Sequence, residues 1–567
     1  GIRGRSAPPV GFVVHLRVMD GPSGSQSLLA RMLLRKPLRV VRTEAAEGEL
    51  RRVLSLLDLL VVGVGSTIGT GVFVLSCSLA KDFAAGYSFI SWIIAGAATL
   101  LAAMSYAELA AKFPLAGGNY AYSYVALGEV FAAITGWCLV LEYAVGTAAV
   151  SRAWADKLLS FLSDDLDLWL PEILQPGRLV SPVAAALQLM CCGVLLLGVE
   201  EGQYVANVWT FIKIGLVVFI IVAGSFASGG FSAEKIEPGS TDGVLRGAMV
   251  ACFGFIGWDV ICCLGAEAID PDRNLPRAVG GTILICTAFY ASAAVVLAMM
   301  VSSDELDDEE GFSAAFDATG MSWAGYIVSV GELCTLPVVA LLGAIAQPRL
   351  QYAIAKDGLL PRIFAEVDEK GNLVNGILIS GFAMTMIALV VPFSFMDALC
   401  SAGSLLAFQL TNSSLILVRS DEVENYTEAR RQMVVFSFSS LCAVVLSNVI
   451  VQCSLNGLSW LAVGFFGVIS LACAWRLSKL CSGARKPTYV GYRVWGVPWL
   501  QCVSILINWQ LLASLELWML LVFIALGALA FVFYICVGLP HSVGNNTAWA
   551  AAEENGTDLR TLLLDDI

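Results

Sequence analysis

The chain has 567 residues, of which 58% are hydrophobic and only 14% are charged, and its mean hydropathy is +0.78. Soluble domains carry roughly 25% charged residues, so this composition excludes a soluble enzyme or a disordered chain and indicates a membrane protein. The net charge of −13 argues against nucleic acid as a partner. The two histidines, His15 and His541, lie near the chain ends, which excludes a histidine-rich metal site, and we expect no cofactor.

About fourteen apolar stretches of spanning length follow one another between Asp58 and Val537. The pattern predicts an all-α polytopic membrane protein. The stretches begin near residues 58, 87, 128, 182, 204, 244, 279, 326, 373, 396, 433, 458, 497 and 517. The eighth to tenth are the least definite, because Pro337, Pro348 and Pro392 interrupt or bound them.

Lysines and arginines are unevenly distributed among the loops, and this asymmetry sets the orientation. Those that precede the first span include Arg31, Arg35, Lys36, Arg39, Arg42, Arg51 and Arg52. Loops on the same side are also basic, whereas the opposite loops hold few cations and the loop at 304–310 is acidic. We therefore expect both termini in the cytoplasm. An acidic dileucine pattern at Asp558, Leu562 and Leu563 leaves vacuolar or lysosomal sorting open, with the plasma membrane favoured.

Two glycine-rich interruptions occur five helices apart, GVGSTIGTGVFV from Gly63 in the first span and FGFIGWD from Phe253 in the sixth. Such glycines weaken a helix and leave free N–H groups at one half-helix and free C=O groups at the other. The N–H end attracts a carboxylate and the C=O end an ammonium, which matches the two ends of an α-amino acid. Five helices in each half suggest an inverted repeat. Close helix packing through small residues is the alternative, whereas a dinucleotide loop lacks its strand-and-helix context.

Several long motifs in a fixed order resemble the cationic amino acid transporters of the amino acid/polyamine/organocation superfamily. The motifs include DLLVVGVGSTIGTGVFV at 58–74, SYAELAAKFPLAGGNYAYSYVALGE at 105–129, ITGWCLVLEYAVGTAAVSRAW at 134–154, and GAEAIDPDRNLPRA from Gly265. Two further motifs are QPRLQYAIAKDGLLP from Gln347 and YRVWGVPWLQCVSILIN from Tyr492. The resemblance runs from about Leu33 to His541 and fits the fourteen stretches.

The resemblance implies a leucine-transporter-like 5+5 core with helices one and six unwound around a substrate. It divides the chain into a cytoplasmic segment at 1–52, a ten-helix transport core at 53–420, four additional helices at 421–540 and a cytoplasmic tail at 541–567. The substrate-binding residues expected from it are Ser66, Thr67, Ile68, Gly69, Thr70, Gly71, Phe253, Gly254, Phe255 and Gly257. Phe253 matches the position at which the superfamily keeps an aromatic residue that closes over the substrate. The alternative is that Phe253 only packs in the core.

Two oppositely charged residues, Glu142 and Lys213, fall at membrane depth and are functional candidates because charges there are expensive. Lys213 resembles the lysine that proton-coupled bacterial relatives place where sodium-driven members of the same fold hold an ion. A buried lysine readily gains and loses a proton, so we predict that Lys213, tuned by Glu142, couples transport to protons. The alternative is a permanent Glu142–Lys213 ion pair that only fixes helix packing.

Two further acidic residues are candidates for a role in transport. Glu108 in SYAEL matches an acidic residue that the family needs, although near a helix end it could equally be a solvated cap. Glu332 in GELCTLP also falls at membrane depth. It favours cationic side chains if it faces the pathway, and otherwise needs a partner that the sequence does not identify.

The sequence thus predicts a secondary active amino acid transporter working by alternating access, not an enzyme. Its partners are the lipid bilayer, an amino acid substrate and, with coupling, protons. Arginine and lysine are the substrates that the family implies, while a neutral or broad specificity by uniport or exchange stays open. A membrane amino acid sensor would bind the same ligand without moving it. A membrane hydrolase finds no support, since no nucleophile is paired with a base. The oligomeric state is not predicted.

Overall fold

The computed structural model describes most of the chain. The described residues are 27–38, 40–41, 52–69, 71–165, 168–175, 177–197, 199–230, 236–303, 306, 311–369, 371–452, 460–482, 491–513, 515 and 517–546. Among them, the side chains at 74, 164–165, 199–206, 253, 394, 397–398 and 451–452 are not described. The acidic loop at 304–310, apart from Leu306, and the dileucine pattern of the tail lie outside the described residues.

The described chain is almost entirely helical, as predicted. Its fourteen main helical segments are named α1 to α14, and shorter helices such as Asn119–Ala126 and Phe312–Ala318 lie between them. The first seven are 56–67 with 71–84 (α1), Ser88–Lys112 (α2), Glu129–Ser163 (α3), Pro182–Leu197 (α4), Val199–Ala227 (α5), 241–255 with Val260–Cys263 (α6) and Pro271–Met300 (α7). The others are Ser322–Lys356 (α8), Val374–Val390 (α9), Phe393–Asp421 (α10), Tyr426–Gln452 (α11), Trp460–Cys481 (α12), Trp499–Ala513 (α13) and Leu517–His541 (α14). Nine helices in the described part are long and apolar enough to cross a membrane.

The helices begin close to the predicted positions, and the largest differences are at α7 and α11, which start earlier. At α7 the reason is that Pro271 occupies the first turn, where its missing N–H costs nothing, so the helix starts in a polar segment. Pro337 and Pro348 do not end α8, which continues through both. Pro337 cannot donate to the Leu333 carbonyl, and the indole N–H of Trp154 on α3 donates to that carbonyl instead, at 2.6 Å.

The first ten helices pack in a pattern that repeats after five. Helix α2 packs against α7, α3 against α8 and α4 against α9. The contact of α1 with α7 corresponds to that of α6 with α2. In the same way, the contact of α5 with α8 corresponds to that of α10 with α3. Successive spans cross a membrane in opposite directions, so partners separated by five spans run oppositely. The core is therefore an inverted repeat, and α13 and α14 pack on its outside against α10.

Candidate functional site

The breaks in α1 and α6 lie against each other at the centre of the core. The first half of α1 ends at Thr67 and the second begins at Gly71, and α6 is interrupted at 256–259 between its two halves. A Cβ built on Gly71 would lie 2.9 Å from the Gly254 Cα, and one on Gly257, which has φ +111, 2.8 Å from the Ser66 carbonyl oxygen. The glycines therefore allow both the broken backbone and its close approach. The hydroxyl of Ser66 donates to the Gly257 carbonyl at 2.8 Å and joins the two breaks.

A cavity of about 530 Å³ opens beside these breaks, between α1, α3, α6, α8 and α10. This volume lies in the usual range of small-molecule sites. The polar side chains that line it are Ser66, Thr67, Ser78, Glu142, Tyr143, Thr147 and Ser401. The first half of α1 ends here and its second half begins here, so the C=O end of one half-helix and the N–H end of the other lie beside one small volume.

Most of the predicted substrate-binding residues are at this cavity. Those that line it are Ser66, Thr67, Gly69, Gly71, Gly254 and Gly257. Ile68 is fully buried. Phe255 points into an aromatic cluster, with ring centroids 5.9 Å from Trp92 and 5.2 Å from Tyr290. Thr70 and the side chain of Phe253, the predicted lid, lie outside the described residues. Contact of these residues with substrate stays a prediction.

Four carbonyl groups at the breaks already have partners, which the sequence did not reveal. The fully buried ammonium of Lys213 on α5 donates to the carbonyls of Gly65, at 2.7 Å, and Ile68, at 2.5 Å. These carbonyls end the first half of α1, where the negative end of the helix dipole also favours a cation. The hydroxyl of Tyr290 on α7 lies 2.9 Å from both the Thr67 and the Gly254 carbonyls.

Glu142 and Lys213 do not form an ion pair with each other, so the packing-pair alternative is wrong. Glu142 on α3 lines the cavity, and its neighbours are Asp259 on α6 and Ser404 on α10. The hydroxyl of Tyr143 donates to Asp259 at 2.8 Å. Asp259 was not among the predicted site residues, although it lies in the FGFIGWD segment. Its signal was a carboxyl directly after a break at membrane depth.

Glu332 has a partner within the protein and is not among the residues that line the cavity. Its side chain is buried and forms an ion pair with Lys157 of α3. The same pair of helices carries the Trp154 contact to Leu333. Lys157 is thus the partner of Glu332 that the sequence did not identify. The structure places Glu332 in the α3–α8 contact. Its role in selecting cationic side chains stays a prediction.

Glu108 is buried, so the solvated-cap alternative is wrong. Its carboxylate accepts two hydrogen bonds from the guanidinium of Arg419 on α10, at 2.6 and 2.7 Å. It also accepts the backbone N–H of Val494, at 2.7 Å, from the segment that precedes α13. A bidentate pair of this kind is among the strongest polar contacts in proteins. Glu108 therefore connects α2, α10 and the YRVWGVP motif.

One end of the core is closed by contacts that we call the terminal face, defined by Leu54, Ala268, Arg349 and Asp357. Leu54 and Ala268 form a parallel backbone bridge before α1 and after α6. Arg349 donates to Glu267 at 3.0 Å, and both side chains are buried. Asp357 pairs with Lys36 of the N-terminal segment at 2.6 Å. The cavity extends the other way, since its lining continues along α1 to Leu75 and Ser78.

The sequence matches a known protein family and several named transporters. The amino acid permease family model matches residues 54–474. A mitochondrial cationic amino acid transporter 3 of Arabidopsis thaliana is 34% identical over 386 residues, which are 65% of this chain and 63% of the relative. Mouse cationic amino acid transporter 4 is 33% identical over 67% of this chain and 62% of its own length. The chain thus spans less than two thirds of these two relatives.

A vacuolar cationic amino acid transporter 4 of Arabidopsis thaliana is 29% identical over 88% of this chain and 94% of the relative. Among solved structures, MhsT in complex with L-phenylalanine is 14% identical with a TM-score of 0.48, covering 76% of this chain and 99% of that one. The closed Mhp1 with bromovinylhydantoin is 13% identical with a TM-score of 0.45, covering 76% and 94%.

The family match and the relatives' names confirm the resemblance that the motifs predicted, and they describe permeases and transporters rather than enzymes. Together with the nine apolar helices in the described residues, they make the chain an integral membrane protein. The chain belongs to the amino acid permease family.

Proposed function

We propose that the chain is a secondary amino acid transporter that works by alternating access, with cationic amino acids such as arginine and lysine as substrates. The observation that carries the proposal is the pair of broken helices, α1 and α6, which meet beside one cavity. N–H groups at the start of the second half of α1, near Gly71, suit a carboxylate. Carbonyls near Ser66, Phe253 and Phe255 suit an ammonium. The relatives named cationic amino acid transporters support the substrate class.

Alternating access needs one closed and one open side, and the structure is consistent with such a state. The terminal face is closed by the Leu54–Ala268 bridge and the Arg349–Glu267 ion pair, while the cavity extends towards the opposite side. The basic loops favour the cytoplasm for the terminal face. With that orientation, we assign the structure to an outward-directed state. Entry into the cytoplasm then requires the bridge and the ion pair to separate.

Proton coupling through Lys213 is the second part of the proposal. Its ammonium holds two carbonyls, of Gly65 and Ile68, next to the α1 break. The titratable group that faces it is the thiol of Cys286 on α7. When Lys213 loses its proton, the neutral amine holds these carbonyls less strongly, which loosens the connection between α5 and the end of the first half of α1. Glu142 does not contact Lys213, so any contribution from it to coupling acts through the cavity.

The test is uptake of radiolabelled arginine into proteoliposomes that contain only this chain, with an inward proton gradient imposed and then collapsed. Accumulation that disappears with the gradient supports both the carrier and the coupling. Lys213→Asn should remove the response to the gradient while some exchange of arginine persists. The matched control is Lys479→Asn, because Lys479 lies over the Trp475 ring at 3.7 Å on α12, outside the core. An unchanged response in Lys213→Asn would overturn the coupling.

Three other outcomes separate the remaining candidates. Uptake that ignores the gradient indicates uniport or exchange. Uptake of alanine as fast as that of arginine indicates a broad or neutral specificity. Binding of arginine without uptake indicates a membrane sensor and contradicts the transporter proposal. We propose the plasma membrane as the site of residence, although the names of relatives include vacuolar and mitochondrial forms.

A further inference from the structure

The cavity contains one charged side chain among the described residues, and that side chain is left without a hydrogen-bond donor. Glu142 is only 5% exposed, yet neither of its carboxyl oxygens receives a hydrogen bond from a described residue. Asp259 beside it is 1% exposed, and its Oδ1 is likewise unsatisfied, while the other oxygen accepts from Tyr143. Buried carboxyl oxygens are costly unless a donor reaches them, so a proton or a donor-bearing group would stabilise this pair.

The groups around the pair do not supply a positive charge. Those that face it are Tyr106 from α2, Cys138 and Tyr143 from α3, Cys262 and Cys263 from α6, and Cys400 and Ser404 from α10. The Ser404 hydroxyl donates to the Cys400 carbonyl at 3.1 Å, so its hydrogen is committed elsewhere. No described lysine, arginine or histidine forms an ion pair with Glu142 or Asp259.

Two neighbouring carboxyls cannot both stay ionised in a buried site unless a positive charge lies between them. That charge is either a proton, which turns the pair into a hydrogen-bonded acid and carboxylate, or a cation that enters from the cavity. The cation must be small and rich in hydrogen-bond donors. The guanidinium and ammonium groups of amino acid side chains meet both conditions, and guanidinium matches a carboxylate in two parallel hydrogen bonds.

We propose that Glu142 and Asp259 form the subsite for the side-chain cation of the substrate, and that a proton takes its place when the substrate has no cation. The inference rests on the proposed amino acid transport and names the residues that set its selectivity. The same cavity is lined by Ser66, Gly71 and Gly257 at the breaks. A substrate held there by its α-amino and α-carboxyl groups therefore extends its side chain across the cavity to α3, where Glu142 lies.

Competition between a proton and a cation gives a distinctive pH dependence. Acidification fills the pair with a proton and weakens the apparent affinity for arginine. Acidification leaves the apparent affinity for citrulline unchanged at this subsite, because citrulline has the length of arginine but a neutral ureido group. Lys213 acts on α1, so its protonation affects both substrates alike. The ratio of the two affinities therefore isolates the Glu142–Asp259 pair from the proton coupling.

The experiment measures uptake of arginine and citrulline by proteoliposomes of the full chain, with concentration series at mildly acidic and mildly alkaline pH. In the natural protein the preference for arginine should shrink on acidification. Glu142→Gln should weaken the apparent affinity for arginine by about tenfold or more, since a charge-assisted contact is lost, and leave that for citrulline nearly unchanged. Its preference should no longer respond to pH. The matched control is Glu332→Gln, a buried carboxyl outside the cavity lining, which should keep the pH-dependent preference.

Each result distinguishes the inference from the proposal on which it rests. If the natural protein transports neither substrate, the proposed function fails. If it transports both with a preference that does not change with pH, the inference fails, whatever the variants do. Should Glu142→Gln not fold, protection of the cavity thiol Cys400 from a thiol reagent provides a second measurement in the natural protein. Arginine should then protect Cys400 less well at acidic pH, and citrulline equally at both; equal behaviour of the two would overturn the inference.

Discussion

Buried charges occur in two regions of this molecule, and the two regions treat them differently. At and near the terminal face, Arg349–Glu267 and Arg419–Glu108 are buried ion pairs with separations of 3.0 and 2.6 Å. At the cavity, Glu142 has no cationic partner among the described residues, and Lys213 is held only by backbone carbonyls. The charges at and near the terminal face are thus paired within the protein. Those at the cavity are the ones for which we propose a proton or a substrate as the partner.

The first prediction removes one partner of a buried pair. Arg349→Met leaves Glu267 buried and unpaired, which should destabilise the protein by about 3 to 5 kcal/mol. The double variant Glu267→Gln with Arg349→Met should recover most of that loss, because no isolated charge remains. The measurement is the thermal unfolding midpoint in detergent.

The control for this prediction is the exposed ion pair of Arg246 with Asp242, at 2.9 Å on α6. Its removal by Arg246→Met should cost less than about 0.5 kcal/mol. If Arg349→Met and the double variant lose the same unfolding free energy, the Arg349–Glu267 ion pair does not determine the stability of the terminal face.

The second prediction tests the geometry of the Glu108 pair. Arg419→Lys keeps the charge but cannot reproduce the two parallel hydrogen bonds, and it also loses the 3.0 Å contact to the Val494 carbonyl. We expect a loss of about 1.5 to 3 kcal/mol in unfolding free energy. The thermal midpoint measures it. A variant as stable as the natural protein would mean that charge alone is required there.

The third prediction tests the close approach of the two breaks. Gly71→Ala places a methyl group 2.9 Å from the Gly254 Cα, where backbone cannot yield, so we expect a loss of about 1 to 3 kcal/mol and impaired transport. The control is Gly280→Ala on α7, where nothing lies within 4 Å of the added carbon. That variant should be neutral or slightly stabilised, by up to about 1 kcal/mol, since alanine favours helix. Similar behaviour of both variants would contradict the contact between the breaks.

The smallest effect is expected for Tyr143→Phe. It removes the hydroxyl that donates to Asp259, and the incomplete carboxyl pair gains one more unsatisfied oxygen. We expect about 1 kcal/mol in unfolding free energy, because the neighbouring cavity can admit water to replace the donor. A loss as large as that of Arg349→Met would erase the difference between the two regions, since the cavity charges would then be structural as well.

Much of the architecture follows from local properties of the chain. Apolar length placed fourteen helical segments, because a span must satisfy its backbone internally and be apolar along its whole length. Glycine density located both breaks, since glycine is the residue that tolerates the broken backbone and the close approach at Gly257 and Gly71. The ordered motifs predicted the family. The prolines predicted an interruption of α8 that the structure does not show. The carbonyl that Pro337 leaves without its usual donor accepts a hydrogen bond from Trp154 on another helix instead.

The partners of the ionisable residues were decided by tertiary structure alone. Glu108 finds Arg419 at a distance of 311 residues along the chain, and Glu332 finds Lys157 on another helix. Glu142 on α3 and Lys213 on α5 face different surroundings. In all-apolar helices the sequence does not reveal which side faces the core, because no polar face contrasts with an apolar one. The sequence by itself therefore determined that charges lie at membrane depth, and only the packing of distant helices decided which are neutralised and which remain open to the cavity.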